Sequence, residues 1–413
     1  MDEYGMIVFA ARIVLIAFIA AVFMLILLLL LRQRAAVRSG VSASENQEGT
    51  RTDRQRKGRF LQLCAIDEKY RTHYFAPQYN NDVSLQEVCD RFRDYAASQM
   101  ELWYDDSTVR QFLAGMASSQ LIIIQGLEGT GKTSLPYAMG KFFGKDATIA
   151  SVQPAWRDRA ELLGEFNEYT KTFGETKVLK RIYESLYSDG IDFIVFDEMN
   201  IARVEYYFAE MLSVLEHPDP NEWVIEIVSD AQPSDPALLE DGKLRLAHNL
   251  WYIGTVNNDD TTFMVSDKVY DRATVINLDS RGIKFDAPKT QQLPLGYEYL
   301  SMLFEKAWKE HPLSEATCEN ISKLDIFIIA KMHVAFGNRI IKQMKKYVPV
   351  FVACGGGELE AVDCIMASKV FRKLSNLNSE LIRGELDNLV AFMNELFGED
   401  SMPLSKAYID RLR

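Results

Sequence analysis

The chain is poor in the residues that build metal clusters and disulfide frameworks, with 5 cysteines and 5 histidines among 413 residues. Cys64, Cys89, Cys318, Cys354 and Cys364 have neither even parity nor close paired spacing, so they read as reduced, mostly buried small side chains in a cytosolic compartment. His73, His217, His248, His311 and His333 are scattered, so no Cys/His metal cluster stands out and each reads as a surface or satisfied core residue. No glycosidase-type carboxylate pair and no Ser-His-Asp arrangement stands out, so a protease activity would have to come from a partner. An excess of basic charge is missing too. The balance is 46 basic against 58 acidic residues, a formal charge of -12, and the chain as a whole does not resemble a passive polyanion binder. It is not a disordered chain either, because 48% of it is apolar, enough for more than one folded core.

One apolar run is conspicuous. Every residue from Ile13 to Leu31 is apolar, and Met6 to Ala11 extend the run beyond Arg12. A helix of about 20 residues spans the hydrocarbon core of a bilayer. A cleavable signal peptide would have a basic head and a shorter core, whereas Asp2 and Glu3 stand at this head. The expectation is an uncleaved transmembrane anchor within residues 1–34. Arg32, Arg34 and Arg38 then set the N-terminus outside and the long C-terminal part in the cytoplasm. Residues 35–58 are polar and basic with little to bury, and read as a flexible tether.

Residues 59–118 carry apolar positions at helical spacing, including Leu85, Val88, Phe92 and Tyr95, then Val109, Phe112 and Leu113. Leu121 to Ile124 then give a short buried-strand signal. It runs into Gly126, Leu127, Glu128, Gly129, Thr130, Gly131, Lys132, Thr133 and Ser134, followed by a helical stretch. This is the G-x-x-x-x-G-K-T pattern in strand, loop and helix order. Its glycines let backbone N–H groups curl around phosphate, and the helix presents its positive N-terminal end. Lys132 is expected to reach the terminal phosphates, and Thr133 to ligate Mg2+.

A second strand signal, Phe193 to Phe196, ends in Asp197 and Glu198. The carboxyl end of a buried parallel strand is where such a sheet places its chemistry. Asp197 is expected to hold Mg2+ through water and Glu198 to polarise an attacking water. A third strand, Leu250 to Val256, ends at Asn257, whose amide either senses the γ-phosphate or forms a turn, with Asn258 its local rival. Arg272 precedes a strand at Thr274 to Leu278. It either crosses a subunit boundary to stabilise charge on a neighbour's nucleotide or pairs with Asp267 or Asp271. Residues 223–228 and 243–246 read as two strands around a turn-rich loop.

These segments resemble an AAA+ ATPase, of the branch that joins the McrB-like restriction motor subunits, the MoxR-like chaperone ATPases and the dynein-related AAA domains. The resemblance spans roughly residues 100–380 and rests on Gly126 to Ser134, on Asp197 to Arg203 and on Gly254 to Asn257. Val152 to Trp156, Asp158 and Leu162 to Gly164 add a McrB-like match in which Trp156 and Arg157 would either face the ring's pore or pack. The resemblance implies a sensor asparagine at Asn257 and an arginine finger at Arg272. McrB-like proteins often carry successive arginines there, but this chain has Asp271, Arg272 and Ala273, so any helper lies elsewhere, such as Arg281. After residue 290 it implies a helical lid whose Arg339, in Phe336 to Arg339, swings onto the γ-phosphate, while Asp363 is structural.

The expected fold class is α/β, a P-loop AAA+ core with a parallel sheet and a C-terminal helical lid, preceded by one transmembrane helix. The expected divisions are an anchor at 1–34, a tether at 35–58, a framing helical region at 59–118, the nucleotide domain at 119–290 and the lid and C-terminal region at 291–413. The expected activity is hydrolysis of ATP to ADP and phosphate, with ATP and Mg2+ as cofactors. It would be coupled in a homo-oligomeric, hexameric ring to remodelling of a protein or nucleic-acid complex beside a membrane. The alternatives are a slow nucleotide-gated scaffold or switch, which an intact Glu198 disfavours, and a McrB-like GTP-using nucleic-acid translocase of a defence system. No N-K-x-D-like guanine motif accompanies the loop.

Overall fold

Short apolar strands buried on both faces organise the molecule. The computed structural model describes residues 58–73, 77–257, 262–376 and 379–413, and Arg59–Arg413 forms one unit. Its centre is a five-stranded parallel sheet of β1 (Leu121–Gly126), β2 (Thr148–Ser151), β3 (Asp192–Asp197), β4 (Leu250–Asn257) and β5 (Thr274–Leu278), in the order β5-β1-β4-β3-β2. Successive side chains of a strand point to opposite faces. Ile122, Ile124, Phe193, Val195, Trp251, Ile253 and Ile276 therefore enter one core, and Leu121, Ile123, Ile194, Phe196, Leu250, Tyr252 and Val275 enter a second. Burial on both faces is what turns these strands into unbroken apolar runs rather than alternating ones.

Helices cover both faces. On the first lie α2 (Leu85–Met100), α3 (Asp106–Ser118) and α4 (Ser134–Phe142), which bring Phe92, Phe112, Leu135 and Phe142 to the core. Ser84 and Glu87 start α2 with a reciprocal capping box, and the Asp105 carboxylate accepts from Thr108 N–H to start α3. On the second face lie α1 (Leu61–His73) and α5 (Lys177–Ser185). The Glu175 carboxylate accepts from the backbone N–H groups of Leu61, Gln62 and Leu63, so a residue distant in sequence satisfies the orphan donors of α1. A small antiparallel sheet on this side pairs Val224–Glu226 with Lys243–Arg245 and adds a third strand, Leu239–Glu240.

The C-terminal helices α6 (Tyr297–Glu310), α7 (Glu315–Met332), α8 (Gly337–Ala353), α9 (Glu358–Ile365), α10 (Ser379–Phe397) and α11 (Pro403–Asp410) share the first core. Leu300, Leu303, Phe304 and Ala307 of α6 are buried there with Ile340, Met344 and Tyr347 of α8. Asp363 is 1% exposed, and its carboxylate accepts from the N–H groups of Leu404 and Ser405 at the start of α11. It caps that helix from α9.

The sequence leads to the expectation of a single-pass membrane protein with its N-terminus outside and its ATPase domain cytoplasmic. The structure corrects that expectation. Among the described residues no helix is long and apolar enough to cross a membrane, because the apolar residues of the long helices lie on one face against the core. The run Ile13–Leu31, on which the expectation rested, lies outside the described residues.

A short π-helical turn at Met366–Val370 carries Lys369 into the interior, where it is 3% exposed and donates to the Asp271 carbonyl and the Gln343 side chain. Burial pulls its pKa down from 10.5 to about 7; Asp271 opposes the shift, while Lys373, Arg339 and Arg372 add to it. The unfolded chain then binds this proton more tightly than the folded one. The stability contributed by neutral Lys369 is complete above pH 10.5 and is lost as the pH falls toward 7. Lys369→Met is expected to exceed the wild type in stability at pH 7. The gap should close toward pH 10 by at most about 1.4 kcal/mol per pH unit. Urea midpoints across that range check it, and a gap that does not change with pH would contradict it.

Candidate functional site

The turn after β1 is shaped by close backbone approach. Gly126 has φ +146, and a side chain there would collide with the Leu278 carbonyl of β5, so only glycine lets the loop leave the sheet at this point. Gly129 and Gly131 also have positive φ, and the loop then passes into α4. Lys132 is 7% exposed; its Nζ donates to the carbonyls of Gly126 at 3.1 Å and Leu127 at 2.7 Å. Thr130 Oγ1 donates to the Leu127 carbonyl, while Leu127 and Glu128 face solvent and Ser134 opens α4.

The sheet's register brings the strand ends together. Gly126 pairs with Asn257, and Phe196 pairs with Gly254, so the ends of β1, β3 and β4 lie along one edge. There Thr133 Oγ1 donates to Asp197 Oδ1 at 2.6 Å, and Thr255 Oγ1 donates to the same oxygen at 2.9 Å. The Glu198 N–H donates in turn to Thr255 Oγ1 at 2.9 Å. One buried threonine, 2% exposed, thus links both acids. Glu198 itself is exposed and left-handed, at φ +53 and ψ 50, a conformation that costs a non-glycine residue about 1–2 kcal/mol. Such strain persists where surrounding bonds over-determine it and collects at functional sites.

Asn257 is held at its backbone. Its carbonyl accepts from Asn200 Nδ2 at 2.9 Å and from Thr262 Oγ1 at 3.1 Å, and its N–H donates to Asn200 Oδ1 at 3.3 Å. Asn200 also donates to Phe263 O, so one residue just after Glu198 fastens both sides of the segment that follows β4. Asn258 lies outside the described residues.

The two arginines sit elsewhere. Arg272 lies before Thr274, which pairs with Ile122 at the start of β1, and the run from Ile122 to Gly126 covers about 13 Å. Arg272 is therefore at the edge opposite the loop. Its Nε donates to Glu216 at 2.6 Å, and its Nη1 to the Lys268 carbonyl. Arg339 pairs with the other oxygen of the same Glu216. Asp267 and Asp271, the sequence-level rivals for Arg272, instead pair with Arg372 and Lys373. Trp156 packs edge-on against Tyr207, with ring centroids 5.1 Å apart, and Arg157 is exposed.

The donor set suits a hard cation. Among the described residues no three His, Cys, Asp or Glu side chains gather into a metal cage. A hydroxyl and a carboxylate oxygen 2.6 Å apart beside a phosphate-type loop match Mg2+, which keeps several waters and takes its remaining ligands from phosphate. Thr255 and Glu216 are the residues of these arrangements that motif spacing does not single out as functional. Thr255 did leave a signal, a hydroxyl on a strand otherwise wholly apolar up to Asn257.

Thr255→Val keeps the shape of the side chain and removes its hydroxyl. Leaving the Glu198 N–H without its acceptor is expected to cost about 1–3 kcal/mol. A lower urea midpoint for Thr255→Val, restored in Thr255→Ser, would bear this out; equal midpoints for Thr255→Val and wild type would contradict it.

No family model and no curated protein matches the chain. Among solved structures it is similar to a "putative ATPase from Cytophaga hutchinsonii" at 13% identity and a TM-score of 0.49, covering 80% of this chain and 98% of that one.

Proposed function

We propose that the chain is an AAA+ ATPase that hydrolyses ATP with Mg2+ at the edge formed by Gly126 to Ser134, Asp197, Glu198 and Asn257. The observation that carries this reading is the joint at Asp197 Oδ1, where the loop's Thr133 meets the acid strand at 2.6 Å. The loop amides and Lys132 would bind the phosphates. Thr133 and Asp197 would hold Mg2+, which when bound neutralises charge on the phosphate oxygens. Glu198 would orient and polarise the attacking water, and Asn257, fixed through Asn200, would hold that water from the side.

In this reading Arg272 serves a different copy of the chain. An arginine at the opposite edge of the sheet cannot reach its own loop, but it can stabilise charge that develops on a neighbour's phosphate. Its pairing with exposed Glu216 favours a transferable guanidinium, since exposed ion pairs hold by about 1 kcal/mol or less. Arg339, on the same carboxylate, would travel with it. The assembly is then a homo-oligomeric ring, a hexamer in the AAA+ pattern, that spends ATP on remodelling a protein or nucleic-acid complex.

Glu198→Gln is expected to bind ATP as the wild type does and to lose turnover by at least about a hundredfold, since it keeps the shape of the site and removes the base. Phosphate release and equilibrium nucleotide binding, measured on the same preparations, check this. Turnover within a few fold of wild type would remove Glu198 from the mechanism.

A further inference from the structure

The strap that leaves β5 runs beside the loop that leaves β1. Gly126 pairs with Leu278, and three residues further along each segment Gly129 meets Arg281: Nη2 of Arg281 lies 3.2 Å from the position a Cβ on Gly129 would occupy. The approach is anchored behind. A side chain at Gly282 would collide with the Trp103 carbonyl, so the strap lies flat on the segment between α2 and α3. Trp103 Nε1 donates to the Phe285 carbonyl at 3.2 Å, and the Arg93 guanidinium sits 4.6 Å over the Phe285 ring. Arg281 is exposed, and it makes no hydrogen bond or ion pair among the described residues.

A second group meets the loop from the same anchoring segment. Tyr104 is 6% exposed, stacks on Phe92, and has no hydrogen-bond partner for its Oη among the described residues. That oxygen lies 3.5 Å from the position a Cβ on Gly131 would occupy. A buried hydroxyl without a partner is uncommon, because the lost hydration is not replaced. Here an unpaired hydroxyl and an unpaired guanidinium flank the same glycine turn, and an oxyanion bound there would satisfy both.

We propose that Arg281 and Tyr104 are phosphate-binding residues in cis: Arg281 closes over the loop from the strap, and Tyr104 Oη donates from beneath it. The inference rests on the nucleotide reading of the loop and adds ligands that the loop motif does not contain. It also gives the strap, which leads on toward α6, a direct contact with the bound phosphates.

The test is equilibrium binding of fluorescent ATP and fluorescent GTP analogues, with Mg2+, to the full chain and to Arg281→Ala, Arg281→Lys, Tyr104→Phe and Lys132→Ala. Arg281→Ala should weaken both nucleotides alike by about tenfold, the scale of one charge-assisted hydrogen bond, and Arg281→Lys should recover part of the loss. Tyr104→Phe should weaken binding several fold while raising the thermal midpoint of the nucleotide-free protein, an opposite pair of effects that general damage to the fold would not produce. Unchanged binding in Arg281→Ala and Tyr104→Phe, with binding abolished in Lys132→Ala, would overturn the inference and leave the loop reading intact. A loss confined to one base would overturn the assignment to phosphate. Failure of the wild type to bind either analogue would overturn the loop reading and the inference together.

Discussion

Oδ1 of Asp197 accepts hydrogen bonds from two hydroxyls on two different segments, Thr133 at the end of the glycine loop and Thr255 on the strand that lies between. The glycine loop, β3 and β4 are thereby tied at one atom. The tie is possible only because β4 is inserted between β1 and β3, so that the ends of all three strands reach the same edge of the sheet. Side chains of different size on the two buried faces hold that register, since a slip of one residue would exchange the residues of a strand between the two cores. Packing, in this sense, sets the geometry on which the proposed chemistry depends.

The same parallel order separates charges as well as gathering them. Carboxylates and the loop lysine stand at the C-terminal edge, whereas Arg272 and Arg339 converge on Glu216 at the opposite one. A chain built this way has the phosphate site and the transition-state cations of the proposed mechanism too far apart to meet within one copy. Two copies stacked head to tail would bring them together, which makes oligomerisation part of the proposed chemistry. Arg281 is the exception, an arginine with no partner among the described residues that the strap after β5 delivers to the loop of its own chain.

How much of this was legible in the sequence depends on how local each feature is. Gly126 to Ser134 is readable because a phosphate loop needs its residues consecutively, and Asp197 because it ends an unbroken apolar run. The helices around Phe92, Phe112 and Met344 follow from spacing that places one face in the core. The roles of Thr255 and Glu216 are not readable, since each depends on which strands are neighbours or on contacts across more than fifty residues. The same holds for Glu175, which caps α1 from over one hundred residues away. Asp363 is intermediate: its burial in an apolar helix suggests a structural role, but only the fold identifies α11 as what it caps. The membrane span was inferred from a run that the described structure does not include, and no described helix could supply it.

The central claim is that one copy's Arg272 completes another copy's acid site. Mixing two inactive variants tests it most directly. Glu198→Gln retains the arginine, Arg272→Ala retains the acid, and an interface that joins the two contains one complete site. The account predicts that each variant alone releases almost no phosphate from ATP and that an equimolar mixture recovers a substantial fraction of wild-type turnover. A mixture as inactive as its components, under conditions where the two variants demonstrably co-assemble, would contradict it.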